Sequence, residues 1–106
     1  MAAHVTNHAA QRTKERVGIP KRISEKNANK ALQLGIRHNE TSGSLHKYIT
    51  ALYLKQRTAN NVRIYCGNVY IFHDEILITI LTLPQKYRKA ADRISRKKKE
   101  AAQNEF

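Results

Sequence analysis

Three apolar runs crowd the second half of this chain, and the turn signals between them leave little freedom in how they pair. Val62–Cys66 is followed by Gly67-Asn68, Val69–His73 by Asp74-Glu75, and Ile76–Leu83 ends at Pro84. Short runs rich in Val, Ile, Tyr and Phe read as strands, and a two-residue Gly-Asn connection reads as a hairpin turn. Asp74-Glu75 is a weaker turn signal of the same length. With two-residue loops at both turns, the period-2 alternation of a strand assigns every side chain to a face. Val62, Ile64, Cys66, Val69, Ile71, Ile76, Ile78 and Ile80 share the face expected to form the core. Arg63, Tyr65, Tyr70, Phe72, Leu77 and Thr79 share the other.

Upstream, the pattern is helical. Thr6 is a good N-cap, Val5 before it supplies half of a hydrophobic staple, and Gly18 is a ready terminator, so the spacing predicts a first helix over 7–17. Pro20 suits the first turn of a second helix, which carries Ile23, Ala28, Ala31, Leu32 and Leu34 and closes at Gly35. Arg37 to Gly43 is a polar loop. Ser44 is the expected cap of a third helix, in which Leu45, Tyr48, Ile49, Leu52 and Tyr53 fall at i, i+3, i+4, i+7 and i+8. The β-branched and aromatic content of that stretch is also compatible with a strand. Residues 86–106 read as a helix with a thin apolar face (Tyr87, Ala91, Ile94), either exposed or disordered. The sequence therefore predicts an α+β fold: N-terminal helices, a three- or four-stranded antiparallel sheet, then a basic C-terminal helix or tail. Residues 5–84 form the domain and 85–106 the tail.

Charge narrows the function. The chain holds 20 Lys+Arg against 8 Asp+Glu in 106 residues, a formal net charge of +12. Such a surface repels itself, and nucleic acid is the leading partner for it. The one cysteine, Cys66, excludes an internal disulfide and fits a reducing compartment. No run of about 18 apolar residues exists, so no membrane span is expected, and the tail's apolar face is too weak for a helix lying on a membrane surface.

Several constellations carry possible chemistry. His8, Arg12 and Arg16 recur at i, i+4 and i+8, along one helix face. RNA cleavage without a metal needs a base for the 2′-hydroxyl, an acid for the leaving oxygen and cations for the phosphorane charge, and this row supplies those types. The competing reading is a solvated basic face. Arg63, Tyr65, Tyr70 and Phe72 set an arginine among aromatics on one strand pair, as in a stacking platform for unpaired bases. The competing reading is a second buried face under a helix, with Arg63 reaching to its rim. Lys86, Arg88, Lys89, Arg93, Arg96, Lys97, Lys98 and Lys99 place eight cations in 14 residues, suited to phosphates. Lys47 joins them as a phosphate contact from the third helix. Thr41-Ser42-Gly43-Ser44 precedes a helix start and offers backbone N–H groups, although a plain polar linker explains it more simply. His38, His46 and His73 read as surface or strand-end residues and Cys66 as core. His4 and His8 stand at i, i+4, but His4 lies before the helix cap, and Asp74-Glu75 and Asp92 form no carboxylate cluster, so no metal and no cofactor is expected.

The opening His8-Ala9-x-x-Arg12-x-x-Glu15-Arg16-x-Gly18-Ile19 resembles a group of small bacterial and phage domains with a pattern close to H-A-x-x-R-x-x-x-R-G-I. Those domains finish in an antiparallel sheet with a last strand like Leu77-Ile78-Thr79-Ile80-Leu81, and they look like a branch of the barnase/EndoU/colicin/RelE assemblage of metal-independent ribonuclease toxins. The resemblance covers about residues 5–84. It departs from the pattern at Val17, which stands between Arg16 and Gly18, and in the basic tail. It nominates His8 and Arg12 as catalytic residues, with Arg63 and Thr79 as further partners on strands. Met1-Ala2-Ala3-His4 opens no charged-then-greasy signal peptide, so with the lone cysteine the expectation is a soluble protein in the cytoplasm of a bacterium or a phage-infected host cell.

Two functions lead as expectations, with a ribosome-associated factor as a third. One is a small basic RNA-binding protein with metal-independent endoribonuclease chemistry centred on His8. The other is a non-catalytic, phage-type inhibitor that occupies a nucleic-acid-guided defence complex or another ribonucleoprotein.

Overall fold

The computed structural model describes residues 4–5, 21–56 and 58–104. The helix expected over 7–17, and with it His8, Arg12 and Arg16, lies outside the described residues. Strand β1 (His4–Val5) is followed by helix α1 (Lys21–Leu34), strand β2 (Ile36–Arg37), a 3-10 turn at His38–Glu40, and helix α2 (Gly43–Lys55). Strands β3 (Asn61–Tyr65), β4 (Asn68–His73) and β5 (Ile76–Thr82) come next, then a 3-10 turn at Gln85–Tyr87 and helix α3 (Arg88–Asn104). The sheet order is β1-β5-β4-β3-β2. Strands β2 to β5 are antiparallel throughout, and β1 adds to the β5 edge in parallel, with Val5 opposite Leu77. This is the α+β fold expected from the sequence, with one short parallel strand added.

Helices cover both faces of the sheet. Val62, Ile64, Val69 and Ile71 pack with Leu45, Ile49 and Leu52 of α2 and with Ala91 of α3. On the opposite face Tyr70, Phe72, Leu77 and Ile80 pack with Ala28 and Ala31 of α1. The α2 stripe is as expected from its spacing: Leu45, Ile49 and Leu52 are buried, and Tyr48 and Tyr53 flank them. Its N-cap is Ser42 rather than Ser44.

Three local departures from simple alternation have physical causes. The β3–β4 turn is Cys66-Gly67, one residue earlier than expected. Both residues have positive φ (50° and 78°), as a type I′ turn demands, and Gly67 takes the second position, where glycine is favoured. Cys66 therefore sits exposed at the turn and not in the core. Second, β5 bulges. Ile71 pairs with Thr79 but Phe72 pairs with Leu77, so Ile78 is an extra residue. The bulge resets the alternation: Ile80 joins Tyr70 and Phe72, and Leu81 crosses to the α2/α3 side. Third, Ile76, expected in the core, is exposed at the strand end.

Helix α3 is part of the packed domain. Ala91 is buried in the α2/α3-side core, with Tyr87, Ala90 and Ile94 packed against it. The Tyr87 ring lies 4.8 Å from that of Tyr48 on α2, which fixes where α3 begins. No helix among the described residues is long and apolar enough to cross a membrane.

Candidate nucleic-acid interface

Because α3 buries one face, its cations occupy defined positions. Ala91, Ile94 and Lys98 recur at i, i+3 and i+7 on the inner side. Arg88, Asp92, Ser95 and Lys99 recur at i, i+4, i+7 and i+11 and line a cleft of about 790 Å³. The facing wall is the end of α1 (Gln33, Leu34) and the β3–β4 turn (Tyr65, Cys66, Gly67). The apolar floor is Ile64, Leu83 and Ala91. Lys89, Arg93 and Arg96, with Asp92, border a second hollow of about 240 Å³ farther around the helix. Every cation from Lys86 to Lys99 is exposed except Lys98.

Short β2 opens the cleft. It pairs only with Arg63 and Ile64, so Tyr65 runs past it beside the end of α1. Two glycines permit the close approaches there. A Cβ on Gly35 would collide with the Ala31 carbonyl and stand 3.0 Å from Arg63 Cβ. A Cβ on Gly67 would stand 2.7 Å from the Arg88 guanidinium, which lies across the turn.

Lys98 has a different job from its neighbours. Its ammonium donates to Glu40 Oε1 at 2.9 Å and to the Gly35 carbonyl at 3.1 Å, binding α3 to both ends of β2. It lines the cleft, but its charge is committed within the protein. Lys86 stands 5.1 Å over the Tyr87 ring in a cation–π contact. Lys47 is exposed on α2.

The strand residues nominated from the sequence are less accessible. Tyr70 is 1% exposed beneath α1, so its ring has no face left for a base, and burial pushes its phenol up to about 12. Phe72 is fully buried. The two-stranded platform is therefore the buried face under a helix, and only Tyr65 reaches the cleft. Arg63 donates from Nε to Asn61 Oδ1 at 2.7 Å and from Nη1 to the Leu32 carbonyl at 3.2 Å. Burial first, then Arg37, lowers its pKa, with Tyr53 and Glu40 opposing. Thr79 is 2% exposed, inside the sheet. The structure thus brings together Tyr65, Arg88 and Lys99, groups the other exposed cations along α3, and leaves Arg63 and Thr79 away from the cleft.

A histidine pair escaped the sequence reading. The rings of His38 and His46 stack 4.2 Å apart, with interplanar angle 10°. His38 Nε2 is 2.9 Å from Thr50 Oγ1, and His46 Nδ1 is 3.1 Å from Thr41 Oγ1. Burial and then the neighbouring His46 lower the His38 pKa. Nothing in spacing announces this pair, because the 3-10 turn and α2 must fold back on each other to form it. Leu34 did leave a signal: it falls off the inward row of Ala28, Ala31 and Leu32, and it is exposed at the cleft lip. Among the described residues no group of three His, Cys, Asp or Glu gathers to hold a metal ion.

No family profile, curated protein or solved structure matches this chain.

Proposed function

We propose that this is a small RNA-binding protein. One observation carries the reading: Arg88, Lys89, Arg93, Arg96, Lys97 and Lys99 project from a helix whose other face is locked into the core. Cations held on a packed helix meet a phosphate backbone without first paying the ordering entropy of a floppy tail. The cleft beside them has an apolar floor and a tyrosine wall. That surface suits unpaired bases, which favours RNA loops and single strands over duplex.

The endoribonuclease arm of the proposal rests on His8 and Arg12, as the resemblance to the toxin assemblage implies. Incubating total RNA with the protein in EDTA tests it: cleavage that is lost in His8→Ala supports a metal-independent nuclease, and tight binding without cleavage leaves a binding protein, the behaviour of an inhibitor of a ribonucleoprotein.

Binding itself is tested by salt. If about six phosphates of a single strand are neutralised, affinity falls roughly 300-fold between about 50 and 200 mM salt. Arg93→Gln with Arg96→Gln reduces the slope by about 1.4. A flat salt dependence removes the polyanion reading.

A further inference from the structure

We infer that the cleft between the end of α1, the β3–β4 turn and α3 is a subsite for unpaired bases of single-stranded RNA. The inference rests on the RNA-binding reading above and gives it a location and a substrate form.

The cleft's chemistry is segregated in the way a strand with splayed bases requires. Arg88 and Lys99 are eleven residues apart on α3, which separates them by about 16 Å along the helix axis. They bracket the site at its two ends. Between them the floor is apolar: Ile64, Leu83 and Ala91. Leu34 stands on the opposite lip, 61% exposed, a large apolar side chain that the fold itself does not cover. Tyr65 adds an aromatic wall. The volume, about 790 Å³, falls within the roughly 300–1,000 Å³ of sites that enclose organic ligands and is more than one base needs.

Asp92 sorts the occupant further. It lies on the cleft face between Arg88 and Lys99. A carboxylate there repels phosphate from the middle of the site and accepts hydrogen bonds from base amino groups. Phosphates at the two ends and bases across the centre satisfy all of these groups at once. A duplex cannot, because its bases are stacked inside and only its phosphates reach the cations.

Cys66, the chain's one cysteine, is exposed on the cleft wall and supplies a built-in reporter. The experiment measures the rate of its alkylation by iodoacetamide in the full chain. The probes are a mixed-sequence single-stranded RNA 12-mer and an RNA duplex of the same length. Saturating single strand is expected to slow alkylation at least fivefold, and saturating duplex less than twofold. Leu34→Ser, at an exposed position, is expected to weaken single-strand binding about fivefold and leave duplex binding and the circular dichroism spectrum unchanged.

If both RNAs bind with steep salt dependence but neither protects Cys66, or if Leu34→Ser binds single strand as the wild type does, the subsite is refuted and RNA binding stands. If neither RNA binds, the RNA reading itself falls. Protection of Cys66 by oligoglutamate, with no binding of either RNA, overturns both and assigns the cleft to an acidic protein partner.

Discussion

The Lys98 ammonium stands 2.9 Å from Glu40 Oε1, and that same oxygen accepts the Arg37 backbone N–H at 2.9 Å. One carboxylate thus closes the 3-10 turn onto β2 and anchors α3 beside it. Burial alone would raise the Glu40 pKa, but the Arg37 N–H and the Lys98 ammonium outweigh it and hold the group below its ordinary value of 4.5. A carboxyl depressed in the folded state contributes stability above its unfolded pKa and loses it as pH falls through the folded one. Lys98→Met is therefore expected to cost about 1 kcal/mol at neutral pH, since the pair is about a third exposed and partly screened. It should also soften acid unfolding below pH 4.5. Denaturant melts across pH check both, and RNA affinity should change less than in Lys99→Met.

The stacked histidines set a second pH window. His38 has a lowered pKa, chiefly from burial and then from His46, so its neutral form is the one the fold favours. Its contribution is complete above the unfolded value of 6.5 and declines as pH drops through 6.5 toward the depressed folded pKa. Thermal melts should show the melting temperature falling between about pH 7 and pH 5. His38→Gln should flatten that fall while lowering stability at pH 7.5, where the Thr50 contact is lost. An equally steep fall in the variant would assign the window to other groups.

Much of this fold was readable because alternation in β3 and β4 is unbroken: Val62, Ile64, Val69 and Ile71 lie on one face and Tyr70 and Phe72 on the other, as their spacing dictates. Where a residue's position depends on its partner, the sequence carries no such signal. The bulge at Ile78 has no signature in β5 alone, yet it exchanges the faces of Ile80 and Leu81. Cys66 alternates as a core residue in sequence, but the turn begins there. The cations of α3 were legible as charge. Their separation into a cleft row, an outer row and the committed Lys98 was not, because it depends on which face of α3 meets the sheet.

Ala91 is 5% exposed where α3 packs on the core, and it also forms part of the cleft floor. The sequence suggests that residues 5–84 stand alone, but the packing of Tyr87, Ala91 and Ile94 on the core predicts a real cost when they are disturbed. Ala91→Lys sets a long charged side chain where an alanine packs, with its ammonium reaching water only through the cleft, and is expected to destabilise by about 1–2 kcal/mol. Ending the chain after Pro84 should lower the melting temperature more than Ala91→Lys does. A truncated chain that melts as cooperatively and as late as the full one would show that α3 only rests on the surface.

Gly67 tests the link between turn geometry and binding. Its φ of 78° is one that side chains rarely adopt, so Gly67→Ala is expected to cost about 1 kcal/mol from backbone strain. The added methyl also meets the Arg88 guanidinium, 2.7 Å away, and the flexible arginine swings aside more readily than the turn does. Arg88 then leaves one end of the cleft. RNA affinity should fall several-fold, with the salt slope reduced by less than one charge's share, because the cation is displaced and not removed. Arg88→Gln should lower the slope by about 0.7 for a single strand, and adding Gly67→Ala to it should bring no further loss of affinity. Additive losses in the double variant would mean that Gly67 and Arg88 act separately and that the turn does not position the arginine.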